Sequence, residues 1–179
     1  MKKLLVAGMI SAAVATSAMA GNITKNLSIQ AKHVDIKGAG VKAGTVLGLK
    51  YMFNNDIGQS GAWGFRAGIE FDYGKLDNTD KGDSNYYDFL FTVAPSYTFD
   101  CNLKVYAGAK AGYVDIVDNS DDSSSDSKTS GSMILGVVGA EYPITENIVI
   151  GAEGTSGNSY FNGIKYKTTT YSANLGYKF

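Results

Sequence analysis

The sequence predicts an all-β protein, an eight-stranded antiparallel transmembrane β-barrel with up-and-down meander topology. Three observations lead to this prediction. Apolar and polar residues alternate with a period of two along several segments. No apolar stretch after Ala20 reaches the roughly 20 residues that a membrane helix needs. No helical pattern offers a second layer that could cover an apolar sheet face, so that face is predicted to meet lipid.

The first twenty residues have the form of a secretory signal peptide. A basic start precedes an apolar run over 4–15, and small residues end the segment at Ala20. We expect cleavage after Ala20, which divides the chain into a signal peptide (1–20) and one outer-membrane β-barrel domain (21–179). Two of the 16 basic residues lie in the signal, so 14 remain against 17 acidic ones, a balance that argues against a nucleic-acid partner.

The first four predicted strands are 23–36, 45–53, 63–74 and 87–99. The first is weakly patterned, and in the second Leu47 and Leu49 alternate with Gly48 and Lys50. The third alternates without interruption, and the fourth has an apolar or aromatic residue at every second position. At about 3.3 Å per residue and a tilt near 40°, the fourth segment is long enough to cross an apolar band about 25 Å tall.

The last four predicted strands are 103–113, 133–144, 147–154 and 170–179. In the fifth strand Lys104 and Lys110 share the face that we expect to point inward. The sixth is apolar on both faces, so the pattern leaves its register open, although we expect Glu141 inward and Tyr142 outward. The seventh is weak, and the eighth alternates up to Phe179.

The connections predict the orientation in the membrane. The short ones are 54–61, 100–102 and 145–146. The alternate, mostly longer ones are 37–42, 75–84, 117–130 and 155–165. Outer-membrane barrels have short periplasmic turns and longer external loops, so the second set should face outside and both termini should be periplasmic.

With this pattern the sequence resembles the small OmpA/OmpX-type family of outer-membrane β-barrels. The resemblance covers the mature chain and includes the segment 136–142 before a tight turn and the ending 174–179. It implies an integral outer-membrane location and a barrel-assembly signal formed by Leu175, Tyr177 and Phe179. Periplasmic chaperones, the barrel-assembly machinery, outer-membrane lipids and lipopolysaccharide are the implied partners.

The family includes adhesins, defence-evasion factors, structural anchors and lipid-modifying enzymes, and the fold alone does not choose among them. No peptidoglycan-binding domain follows Phe179, so we do not expect this chain to anchor the cell wall. We expect a monomer without cofactor or metal.

Inward charged residues of both signs predict an ion-pair network in the lumen. An eight-stranded barrel has an interior that side chains just fill, and an unpaired buried charge costs several kcal/mol. A narrow conducting path is the alternative. The predicted network comprises Arg66, Glu70, Asp72, Asp88, Lys104, Lys110, Glu141, Glu153 and Lys178.

The outer loops contain the candidate contact residues. Asp121 and Asp122 lie in a run rich in aspartate and serine that lacks the glycine and glutamate of a Ca²⁺-binding EF-hand loop, so we expect a solvated loop. Such a loop could still contact lipopolysaccharide phosphates through divalent cations. Tyr160 and Phe161 are predicted as exposed loop aromatics that contact a partner, or else pack within the loop or extend a strand.

His33 is the only histidine and the one obvious general base. The enzymes of this fold depend on a histidine with a nearby serine, and none stands two positions away, so we expect His33 at the lipid-facing rim instead. The favoured function is therefore a non-enzymatic surface barrel whose loops serve adhesion, defence evasion or envelope integrity. A small pore with low conductance, a lipid A-modifying enzyme and a soluble lipocalin-type barrel are the alternatives.

Overall fold

The chain forms a closed antiparallel barrel in which each strand pairs with the next and the last pairs with the first. We describe residues 22–56, 62–78, 82–118 and 128–179 of a computed structural model. The eight strands are β1 (Asn22–Lys37), β2 (Gly44–Asp56), β3 (Ala62–Asn78), β4 (Gly82–Thr98), β5 (Lys104–Asp118), β6 (Lys128–Pro143), β7 (Ile148–Phe161) and β8 (Ile164–Lys178). The predicted fold class is confirmed, and the proposed signal peptide lies outside the described residues.

The strand alternation separates an apolar outer surface from a polar interior. Leu47 and Trp63 are 69% and 67% exposed on the outer face, whereas Arg66 is fully buried inside. A soluble lipocalin-type barrel would have the opposite arrangement, so that alternative is wrong. Among the described residues, no helix has the length and apolar character needed to cross a membrane.

One end of the barrel, here called the terminal end, holds both ends of the described chain. Backbone bonds between Lys25 and Phe179, 2.9 and 3.1 Å long, continue the β1–β8 ladder to the last residue. Tight turns connect β4 to β5 and β6 to β7 at this end, and the second closes through a bond of 2.8 Å from the Ile144 amide to the Ile148 carbonyl. The opposite end is here called the loop end.

At the loop end the strands run further than the sequence predicts. The predicted loop 155–165 is mainly strand, because β7 and β8 are joined by Asn162 and Gly163 alone. Both residues have positive φ, 49° and 80°, which is the geometry of a type I′ hairpin turn. The β3–β4 ladder likewise continues to the pair Asn78 and Gly82, so the walls extend well beyond the central apolar band.

The structure resolves the register of β6. Met133, Leu135 and Val137 point inward, and Ile134 and Val138 point outward. Farther along this strand Glu141 is inward and Tyr142 outward, as predicted. The strand is apolar on both faces because its inner face packs into an apolar layer of the lumen, which the next subsection describes.

Candidate functional site: the barrel lumen

The lumen holds a charge network at its centre, and Lys32 on β1 links three carboxylates of that network. The Lys32 Nζ atom lies 2.9 Å from Glu70 Oε1 and 2.9 Å from Asp88 Oδ2. It also forms an ion pair with Asp72, which accepts a further bond of 2.7 Å from the Gln30 amide. Because β1, β3 and β4 supply these groups, the cluster ties β1 across the lumen to the adjacent strands β3 and β4.

A second lysine, Lys110 on β5, joins this cluster to the opposite wall. Its Nζ atom lies 2.5 Å from Glu70 Oε2 and pairs with Glu153 on β7. Glu153 also accepts a bond of 2.7 Å from Lys50 on β2. Glu70 and Glu153 therefore each join two lysines, and the network spans the barrel from side to side.

Arg66 forms the part of the network nearest the terminal end. Its Nη2 atom donates to Glu141 Oε1 at 2.7 Å, and its guanidinium carbon lies 3.8 Å from the centre of the Tyr106 ring. The Tyr106 hydroxyl donates to Glu153 at 3.0 Å. A cation over an aromatic face gains electrostatic attraction, so Tyr106 holds Arg66 from one side while Glu141 holds it from the other.

The four cations of the network, Lys32, Lys50, Arg66 and Lys110, are at most 1% exposed. Burying a charge is costly unless it is paired, so such groups persist only as part of a connected network. Side-chain oxygens of Glu70, Asp72 and Asp88 lie close enough together to hold a metal ion. The ammonium group of Lys32 lies among them instead, and this supplies the positive charge that a metal would bring.

An apolar plug closes the lumen on the loop side of the network. Its buried residues are Val34, Ile36, Val46, Leu76, Tyr86, Leu90, Val114, Ile116, Met133, Leu135 and Phe161. Ala39 and Val41 from the β1–β2 connection pack against this layer. The Tyr86 hydroxyl donates to Asp88 at 2.7 Å, which joins the plug to the charge network.

The terminal end of the lumen is an open polar mouth. A pocket of about 150 Å³ lies there, lined by Asn26, Asn54, Lys104, Glu141 and Lys178 among others. Lys104 and Lys178 are only partly buried, so these two members of the predicted network lie at the mouth and not at its centre. The lumen is therefore open to solvent at one end and closed by apolar side chains at the other.

A sequence profile described as "Outer membrane protein beta-barrel domain" matches residues 4–179. The chain belongs to this family. It is thus an integral outer-membrane protein, as the sequence predicted.

Solved outer-membrane barrels share the fold of this family member at low sequence identity. The attachment invasion locus protein Ail of Yersinia pestis is 16% identical with a TM-score of 0.62, and the match covers 90% of this chain and 100% of that one. A second Ail structure, in complex with the heparin analogue sucrose octasulfate, matches with a TM-score of 0.61 and 16% identity over 90% of this chain and 100% of that one. Neisserial surface protein A matches at 16% identity and a TM-score of 0.54, covering 88% and 97%. No curated protein sequence matches the chain.

Two lysines of this outer-membrane barrel's network, Lys32 and Lys50, were missing from the predicted set. The alternation of inward and outward residues along each strand would have identified both lysines as inward. Lys50 alternates with the outward Leu49 and Tyr51, and Lys32 alternates with the outward Ala31. In a strand whose outward residues face lipid, a charged residue at an inward-facing position points into the lumen.

The predicted contact residues of the loops differ from one another in exposure. Phe161 ends β7, is only 4% exposed and packs in the plug, 5.7 Å from the Tyr166 ring, which agrees with the alternative of a strand extension and not with an exposed contact. Tyr160 is half-buried. Asp121 and Asp122 lie outside the described residues.

His33 and the predicted barrel-assembly signal lie on the lipid-facing wall. His33 is exposed on β1, paired with Thr45 on one side and Tyr171 on the other. Leu175, Tyr177 and Phe179 are 48%, 55% and 58% exposed along β8 and the residue after it. These three residues are thus accessible from the surrounding hydrocarbon.

Proposed function

We propose that this outer-membrane barrel is a non-enzymatic surface protein that contacts other molecules through its loop end, in adhesion, defence evasion or envelope integrity. In this proposal the loop end faces out of the cell, the termini are periplasmic, and the mature chain begins after Ala20. The observation that carries it is the closed lumen. Ion pairs occupy the centre and eleven apolar side chains occupy the loop end, so the remaining surface for contact is the extended wall and the loops.

The small-pore alternative requires a wet path from end to end. The plug opposes such a path because Val34, Val46 and Val114 are fully buried in it and offer no polar atom to a passing ion. The enzyme alternative, in the form that the enzymes of this fold use, requires a histidine beside a serine. His33 faces outward between Thr45 and Tyr171, and neither neighbour is a serine.

The names of the similar structures agree with a contact function. Ail is an attachment invasion locus protein, and one of its structures holds a heparin analogue. A sulfated polysaccharide is therefore a reasonable first ligand to test on this chain, together with intact host cells. The loop 119–127 and Tyr160 are the candidate contacts, while periplasmic chaperones and the barrel-assembly machinery are proposed as partners during insertion.

The proposal is tested by altering the loop end while the barrel is left intact. One variant lacks residues 119–127 and a second carries Tyr160→Ala. A matched control replaces the terminal-end turn residues Thr145 and Glu146 with Asn-Gly. We expect at least one loop-end variant to reduce binding to heparin-coated surfaces or host cells, or to reduce serum survival, while the control behaves as wild type.

Unchanged binding and survival in both loop-end variants would refute the contact function. Equal losses in the control would point to a general effect on barrel assembly. The amount of folded barrel in the outer membrane must therefore be measured for every variant.

A further inference from the structure

Arg66 leaves most of its hydrogen-bond donors unused at the inner side of the polar mouth. Its side chain is fully buried, and its Nη2 atom donates to Glu141 Oε1. Nε and Nη1 have no hydrogen-bond partner among the described residues. These two nitrogens carry three of the five N–H bonds of a guanidinium, and buried donors without an acceptor are costly. The three N–H bonds therefore point to an acceptor outside the described residues.

Two further buried side chains beside Arg66 have a polar atom without a partner in the described part of the chain, namely Asn54 Oδ1 and Ser96 Oγ. Asn54 stands opposite Arg66 in the β2–β3 ladder. Ser96 stands opposite Tyr106, the ring on which the guanidinium packs. On its β4 side Arg66 is opposite Ala94, whose small side chain leaves space between these polar groups. Asn54, Arg66 and Ser96 are here called the inner polar site.

The inner polar site adjoins the pocket of about 150 Å³ at the mouth, because Asn54 and Glu141, the neighbours of Arg66, both line that pocket. Such a volume holds several water molecules, since one water needs about 10–15 Å³. It is smaller than the roughly 300–1,000 Å³ of sites for larger organic ligands. The mouth therefore admits water and small ions to Arg66.

The charged side chains around the mouth are mainly positive. Lys104, Lys178 and Glu141 line the pocket, and Arg66 adds a third cation at its inner side. Three cations against one carboxylate leave a surplus of two positive charges among the described side chains. A buried positive charge needs a counter-charge, so an anion suits this place better than water alone. The rest of the network has the opposite sign, with three lysines against four carboxylates, namely Lys32, Lys50, Lys110, Glu70, Asp72, Asp88 and Glu153.

We propose that the inner polar site binds a small inorganic anion of the halide class, of which chloride is the common one. The anion accepts hydrogen bonds from Nε and Nη1 of Arg66 and from the Ser96 hydroxyl, and the Asn54 amide can turn its nitrogen toward it. A halide is an acceptor only, which matches a site whose spare groups are mainly donors. Glu141 lies beside Arg66 and repels a phosphate or sulfate dianion more strongly than a monovalent ion.

Occupancy of this site couples the stability of the barrel to the anion. A ligand that binds only the folded form stabilises it in proportion to the logarithm of ligand concentration above the dissociation constant. The site lies at the terminal end, so this inference does not depend on the proposed function of the loop end. Loss of chloride binding and loss of host-cell binding can be measured separately.

The position of the anion is tested with the full mature barrel crystallised in sodium bromide. Bromide scatters X-rays anomalously, so an ordered ion can be distinguished from water. We expect an anomalous peak inside the lumen, within hydrogen-bonding distance of Nε or Nη1 of Arg66. Bromide peaks found only on the outside of the protein would refute the site.

The affinity is tested by thermal unfolding of the barrel in detergent, with gluconate replaced stepwise by chloride at constant ionic strength. Gluconate is an organic anion much larger than chloride, and we expect the unfolding midpoint to rise with chloride. Ser96→Ala removes one donor to a charged ligand and should weaken the apparent chloride affinity about ten-fold. The matched control Thr92→Val removes another buried β4 hydroxyl without a described partner, but Thr92 stands opposite Lys110, so the affinity should not change.

Two lysines at the terminal end test the electrostatic part of the proposal. Lys178 lines the mouth, whereas Lys25 is exposed on the outer wall at the same end. Lys178→Gln should weaken the apparent chloride affinity, and Lys25→Gln should leave it unchanged. The unfolding midpoint of each variant in gluconate alone supplies its baseline, so a general loss of stability is separated from a loss of binding.

Three results of the unfolding assay would overturn the proposal. A midpoint that does not depend on chloride would mean that water alone satisfies Arg66. Equal losses of affinity in Ser96→Ala and Thr92→Val would exclude a specific contact with Ser96. Equal losses in Lys178→Gln and Lys25→Gln would mean that chloride acts only by screening the total charge.

Discussion

Replacing Lys32 with methionine should cause the largest loss of stability that a single charge removal can produce in this barrel. The change keeps an unbranched side chain as far as Cε and removes the ammonium group that pairs with all three of Glu70, Asp72 and Asp88. Glu70 keeps Lys110 as a partner. Asp72 and Asp88 keep only the neutral donors Gln30 and Tyr86 among the described contacts.

The size of the loss follows from these contacts. Removing one partner of a buried ion pair costs about 3–5 kcal/mol because a charge is left buried without compensation. Two carboxylates lose their cation here, so we expect a decrease in the free energy of unfolding of about 5 kcal/mol, the upper end of that range. The matched control Lys75→Met breaks an exposed pair and should cost about 0–1 kcal/mol.

Urea unfolding in lipid vesicles provides the assay. Trp63 is the only tryptophan and is 67% exposed on the outer face, so its fluorescence reports when the strand leaves the hydrocarbon. A second variant, K32M/D88N, removes one charge of each sign and should recover about half of the loss, since one uncompensated carboxylate remains. A loss no larger than that of Lys75→Met would refute the claim that Lys32 holds the network together.

Three further predictions concern the plug and β6. Leu135→Ala should cost about 2–5 kcal/mol in the same assay because it leaves a cavity in the plug, whereas Ile134→Ala faces lipid and should cost much less. Gly139→Ala should destabilise by about 1–3 kcal/mol, because its new methyl group would overlap the Tyr106 ring; Gly136→Ala, whose nearest neighbour would be 3.6 Å away, should be tolerated. The wild-type barrel should show no conductance in planar bilayers, and a steady conductance would contradict the closed plug.

Strand number, strand order and most side-chain orientations could be predicted because lipid and lumen impose opposite demands on alternate residues. For this reason the predicted third and fourth strands, 63–74 and 87–99, have the correct outward and inward faces and approximately the correct positions. Residues Glu70, Asp72 and Asp88 could be predicted as inward for the same reason. Their specific partners could not, because a lysine on β1 meets carboxylates on β3 and β4 only after the barrel closes.

The plug could not be predicted, because its inward apolar residues break the alternation on which the prediction depends. Leu135 and Val137 look like lipid-facing residues when β6 is considered alone. The loop end was also predicted to be looser than it is. The dipeptide Asn162-Gly163 is a hairpin signal, and giving it more weight would have extended β7 and β8 to the turn.

The charge network helps to fix the register of the strands as well as to stabilise the barrel. Replacing buried ion pairs with apolar residues often leaves a protein equally stable, so net stability alone does not explain four buried cations. A slip of one residue in register turns every inward side chain to the opposite face. It would then expose Lys32, Lys50 or Lys110 to hydrocarbon, at about 2–4 kcal/mol for each lysine near the bilayer midplane. A slip in the part of β6 that lines the plug would not be penalised in this way. It would turn Leu135 toward lipid and Ile134 toward the lumen, and both side chains are apolar. Its register depends instead on Glu141, which must reach Arg66, and on Gly139, which makes room for Tyr106.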